Sequence, residues 1–164
     1  MPDLTSQLKS RLCKAKRIAV LGIGSELRAD DAAGMLVAQG LKDFHPRQRR
    51  LRVFLGSTAP ENITGEIKEF RPTHLLIVDS ADARKKAGSV ILLQPQDLKG
   101  VSFSTHQLPL SILARYLSES FDCEILIIGI QPKSVKFGSG LSKEVRRAVK
   151  SVAQSISTAI SGRK

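Results

Sequence analysis

Four side chains in this sequence stand where chemistry is possible: the adjacent carboxylates Asp30 and Asp31, a further carboxylate at Asp79, and the imidazole of His106. Two carboxylates and an imidazole form a hard-to-borderline oxygen and nitrogen set suited to Ni²⁺, Zn²⁺, Mn²⁺ or Fe²⁺, and three protein ligands leave coordination positions open. The same acids could instead share a proton and activate water, as in an aspartic-type hydrolase. Ordinary roles compete with both. An acid at a helix start satisfies orphan N–H groups and meets the positive end of the dipole, and a histidine can serve as a structural hydrogen-bonding group. Spacing alone leaves these alternatives open.

The elements that must position these groups follow from apolar periodicity. Ile18 to Leu21 is a short strand-like run that meets Gly22 and Gly24, then a polar loop carrying Asp30 and Asp31, then a helical stripe of Ala33, Leu36, Val37 and Leu41. Strand, turn, helix is the order, and in an open α/β sheet ligands sit at the carboxyl ends of strands. A second strand is expected over 51–55. A helix with Pro60 in its first turn runs to Phe70, and THLLIV is a buried strand that delivers Asp79 at its end. SVILL is a strand expected to run antiparallel to its predecessor, because the connection is too short for a crossover helix. Pro109 opens a helix with Leu110, Leu113 and Leu117 inward, which puts His106 at a loop-to-helix junction where neutral imidazole is favoured. EILIIGI is the last strand. A final helix capped by Ser142 buries Val145, Val149, Val152 and Ile156.

Gly22-Ile23-Gly24 also invites a dinucleotide-binding reading. That fingerprint needs a third glycine where Leu27 stands, and an acid near the end of the second strand, where Gly56 and Ser57 stand. It fails on both. Ser25, Ser57 and Ser104 lie near these motifs but have no nucleophile elbow around them.

At 164 residues and 41% hydrophobic content, one domain over 1–164 is expected, with 1–16 as an accessory N-terminal helix carrying Leu4, Leu8 and Leu12. No apolar run approaches the roughly 20 residues of a membrane span, and the N-terminus lacks a signal-peptide core, so a cytoplasmic location is expected. The formal charge of +11 raises nucleic acid as a partner, but the cations are scattered and only 4% of residues are aromatic, so no nucleic acid is expected. Cys13 and Cys123 are too far apart for a zinc or redox motif and are expected as partly buried thiols.

Five segments, GIGSELRADDAAG, GSTAPEN, LLIVDSAD, STHQLPLSIL and IIGIQP, resemble in order and spacing the hydrogenase maturation endopeptidases, most closely those of the hydrogenase-3 or formate-hydrogenlyase type. The resemblance covers roughly residues 17 to 150. It implies a three-layer α/β fold, a twisted, mainly parallel five-stranded sheet with helices on both faces. It further implies an enzyme that removes the C-terminal extension of a nickel-loaded hydrogenase large-subunit precursor, and for so small a processing enzyme a monomer is expected. The nickel is supplied by the precursor, and the family's nickel-recognising positions fall on Asp31, Asp79 and His106. Where the family usually has Asn and Gly, this chain has Ser25 and Ala32, so the backbone after Asp31 is expected to be ordinary helix. An acid-pair hydrolase without nickel recognition and a non-catalytic nickel-binding maturation factor remain the alternatives.

Overall fold

The computed structural model describes residues 2–45, 48–104 and 108–162. The elements run α1 (Leu4–Arg11), β1 (Ile18–Ile23), α2 (Ala33–Phe44), β2 (Leu51–Ser57), α3 (Thr64–Phe70), β3 (His74–Asp82), β4 (Val90–Leu93), β5 (Ser102–Phe103), α4 (Leu110–Ser120), β6 (Glu124–Ile130) and α5 (Lys143–Ser161). Strands are ordered β2-β1-β3-β6-β4. The first four are parallel, β4 lies antiparallel on the β6 edge, and the two-residue β5 pairs antiparallel with the end of β3. This is the expected three-layer α/β architecture.

Period-two alternation divides the strand side chains between two cores. Ile18, Val20, Leu76, Val78, Leu126 and Ile128 face α1, α2 and α5, while Ala19, Leu21, Leu75, Ile77, Ile125 and Ile127 face α3 and α4. Because both faces are covered, the central strands read as unbroken apolar runs rather than alternating ones. Among the described residues no helix is long and apolar enough to cross a membrane.

β4 runs antiparallel to β3, as expected, but it pairs with β6, because β3 is already flanked by β1 and β6. Two expectations need correction. β3 does not stop before Asp79: it pairs with β6 through Asp79 and Ser80, and with β5 through Ala81 and Asp82. Cys13 is exposed rather than partly buried; both thiols are free, and burial pushes the Cys123 thiol up to about 12.

The sheet order places the functional end. β1 leads through α2 to β2 on one side, and β2 leads through α3 across to β3 on the other. Helix connections therefore diverge between β1 and β3, and their carboxyl ends open a crevice at that switch point.

Candidate active site

The first loop is shaped by close backbone approach. At Gly24 φ is +140°, and a Cβ there would lie 1.8 Å from the Asp31 carbonyl oxygen, so only glycine lets the acid-bearing loop fold back over the strand end. The Gly24 N–H donates to the Ser57 carbonyl at 2.9 Å, tying this loop to the end of β2. A 3₁₀ turn, Ala29–Ala32, then carries both acids, with the left-handed conformation taken by Ala29 at φ 49°. Ala32, at φ −70°, is ordinary helix as expected. α2 begins at once. A Cβ on Gly34 would sit 2.1 Å from the Val78 carbonyl and 2.4 Å from that of Ile23, so the helix start is pressed onto β1 and β3.

The two neighbouring acids are both 1% exposed and do different things. Asp30 Oδ2 accepts from the backbone N–H groups of Lys133 (2.8 Å) and Ser134 (3.2 Å), and its Oδ1 accepts from that of Ser142 (2.7 Å). Its own N–H donates to the Ser134 carbonyl at 3.0 Å. Asp30 is a clamp that fastens the segment between β6 and α5 against the first loop. Asp31 Oδ2 accepts from the Ser25 N–H at 3.0 Å, and the residue lines a cleft of about 240 Å³ together with Arg28, Ser80, Asp82, Ser104 and Val135.

Asp79 lies beneath that cleft with no solvent exposure. Its Oδ1 accepts from the Ser80 N–H at 2.8 Å and from the Ser104 hydroxyl. Its Oδ2 is buried and has no hydrogen-bond partner among the described residues. Burial pushes this carboxyl well above the usual aspartate range; the negative charge of Asp31 adds to the rise, against the opposing pull of the Ser104 hydroxyl. Asp79 therefore holds a proton at a pH where an ordinary aspartate has lost it.

Asp31 and Asp79, two of the three residues singled out in the sequence, are thus close enough for the charge of one to act on the other. Asp30, an equal candidate by sequence, is turned away into its backbone cradle. His106 lies outside the described residues, and among the described residues no three His, Cys, Asp or Glu side chains stand close enough to hold a metal ion.

Sequence reasoning missed two participants. Ser104 enters it only as a nucleophile, yet its hydroxyl donates to Asp79; its position two residues before His106 in the same motif was the available signal. Asp82 lines the cleft because β3 runs three residues beyond Asp79. It is exposed, and its carboxyl is held below the ordinary value by the Arg84 N–H and the Gln131 side chain.

A neutral acid beside a second carboxylate can give a proton to a departing amine while its neighbour takes one from water. The same pair offers oxygen ligands to a cation entering from the cleft.

A family model described as hydrogenase maturation protease (HycI) matches residues 35–159. The chain is 36% identical over 149 residues to a Methanocaldococcus jannaschii protein provisionally named a hydrogenase maturation protease, spanning 87% of this chain and 88% of that one. It is 35% identical over 136 residues to the hydrogenase 3 maturation protease of Escherichia coli, spanning 82% and 85%. Its fold superposes on the crystal structure of the nickel-iron hydrogenase maturation protease HycI from Thermococcus kodakarensis with a TM-score of 0.87 at 30% identity, covering 94% of this chain and 98% of that one.

Proposed function

The chain belongs to the hydrogenase maturation protease family, and on that premise we propose that it removes the C-terminal extension of a nickel-iron hydrogenase large-subunit precursor after nickel has been inserted. The observation that carries this reading is Asp79: a fully buried carboxyl with one oxygen unpartnered among the described residues, its proton retained, beside Asp31 at a cleft floor. A buried group kept in that state is out of place in a purely structural role.

In this reading nickel is cargo of the substrate. Asp31, Asp79 and His106 complete the coordination of the ion that the precursor carries. Asp79 must release its proton to become a ligand, and a divalent cation close by supplies the attraction that makes this favourable. A precursor without nickel offers no such attraction, so Asp79 stays neutral and the grip is weak. Cleavage is thereby conditional on metal insertion.

A second reading is favoured by the Coulombic coupling of Asp31 to Asp79. Here the pair acts alone: Asp31 takes a proton from water, the hydroxide adds to the scissile carbonyl, and Asp79 protonates the leaving amine. Nickel then has no role in recognition.

One assay separates them. Precursor with and without nickel is incubated with wild type, Asp31→Asn, Asp79→Asn and His106→Ala, and the C-terminal peptide is followed by intact mass. The nickel-gated reading expects loss of the peptide from loaded precursor alone, abolished by each substitution. Equal cutting of metal-free precursor, with His106→Ala still active, establishes the acid-pair reading instead.

A further inference from the structure

Six large apolar side chains are exposed among the described residues, and three of them, Leu27 (65%), Val135 (38%) and Phe137 (75%), belong to two segments bonded to each other beside the cleft. The Gly138 N–H donates to the Leu27 carbonyl at 2.9 Å, and Arg28 Nε donates to the Val135 carbonyl at 3.3 Å. Arg28 and Val135 also line the cleft itself, so the apolar surface is continuous with the floor that holds Asp31.

This surface is preorganised rather than loose. Asp30 fastens it through three backbone N–H groups. A second buried polar side chain, Gln131, fixes the facing segment: its Oε1 accepts from the N–H groups of Ala83 (2.9 Å) and Lys85 (3.1 Å), and its Nε2 donates to Asp82 at 3.2 Å. That facing segment carries Arg84, Lys85 and Lys86, all exposed, and the apolar side carries exposed Lys136 beside half-buried Arg28. The floor is acidic and the rim is cationic. A cation is drawn to the floor, and carboxylates are drawn to the rim.

We propose that segment 131–142, together with Leu27 and Arg28, is the ledge on which the precursor docks. The occupant is the polypeptide next to the scissile bond: an apolar stretch that seats on Leu27, Val135 and Phe137 and carries acidic residues that meet Arg28 and Lys136. The inference rests on the proposed function, because it takes the precursor as the partner. An exposed aromatic anchor beside an arginine is a usual feature of such a contact. The ledge acts on binding and not on bond cleavage, since none of its side chains reaches Asp79.

The test uses the full chain and nickel-loaded precursor, comparing wild type with the pair Leu27→Ser/Phe137→Ala and with Lys136→Glu. Equilibrium binding is read by fluorescence anisotropy and cleavage by intact mass, with thermal melting as the control for folding. For the apolar pair, Kd and KM should each rise about tenfold with kcat within about twofold. For Lys136→Glu, the rise should shrink as salt is increased. Variants that bind and cut like wild type overturn the ledge and leave the protease reading standing. A wild type that binds precursor without cutting it overturns the protease reading, while the variants' Kd still decides the ledge.

Discussion

Asp30 and Asp79 are carboxyl groups at the same end of the same sheet, equally withdrawn from water, and they have opposite characters. Asp30 is surrounded by three N–H donors from one segment, which replace the water it has lost. Among the described residues Asp79 accepts from the Ser80 N–H and the Ser104 hydroxyl on the same oxygen, and it has Asp31 for a neighbour. Burial alone therefore does not decide what an acid does. The surroundings do: at Asp30 backbone donors replace the water lost on burial, while at Asp79 burial, reinforced by the charge of Asp31, holds the proton on.

The largest test of this contrast is activity. Under the proposed function, where each group transfers a proton or grips the cargo, Asp79→Asn and Asp31→Asn should each lower precursor cleavage by about a thousandfold or more. Asp30→Asn should retain most of its activity per folded molecule, because Asn still accepts from one side of the cradle. Equal loss in all three, measured as kcat/KM, would erase the distinction.

Stability should run the other way. Asp30→Ala leaves three part-buried N–H groups without their acceptor and should lower unfolding free energy by about 3 kcal/mol in urea titration. Asp79→Asn keeps the acceptor for Ser80 and Ser104 while removing the ionisation that burial opposes, and should raise stability near pH 7 by about 1 kcal/mol. A destabilised Asp79→Asn would mean that the carboxyl is anchored by donors after all, as Asp30 is.

The pH dependence has a definite sign. The folded value of Asp79 is raised above the ordinary 3.8, so between the two values the native chain holds a proton that the unfolded chain has released. Stability from this group is therefore full below 3.8 and is lost as pH rises toward the folded value. Asp79→Asn should flatten that part of the profile of melting temperature against pH.

The smallest effect expected concerns Lys133, whose backbone N–H serves Asp30 while its exposed Nζ pairs with Glu144 at 2.9 Å. Because the clamp reads main chain, Lys133→Ala should move the melting temperature by only about one degree. A larger shift would mean that the side chain, not the N–H, holds the loop.

Much of the framework was legible from local pattern. The apolar runs of β1, β3 and β6, the Pro109 helix entry and the Ser142 cap, whose hydroxyl accepts from the Val145 N–H, all depend on residues close in sequence. The choice of β6 as the partner of β4 was not legible, because it is settled by β3 having both its edges filled, which leaves the outer edge of β6 for β4. Two residues of β5 are too few to carry a period. The separation of Asp30 from Asp31 was beyond reach for a further reason: the donors that single out Asp30 lie more than a hundred positions away. Asp31 and Asp79 could be found because strand ends are where an α/β sheet exposes its crevice. His106, the third residue expected there, falls outside the described part of the chain.

The Asp30 clamp also sets an order of assembly. It joins residue 30 to residues 133, 134 and 142, so it closes a span of roughly two-thirds of the chain. Ordering so long a loop costs about 4 kcal/mol in chain entropy, recovered only once β6 and α5 are docked. During synthesis, a chain that has made the Asp31 loop and β3 therefore lacks one wall of its cleft. The cleft is complete only when the segment between β6 and α5 has closed on the first loop.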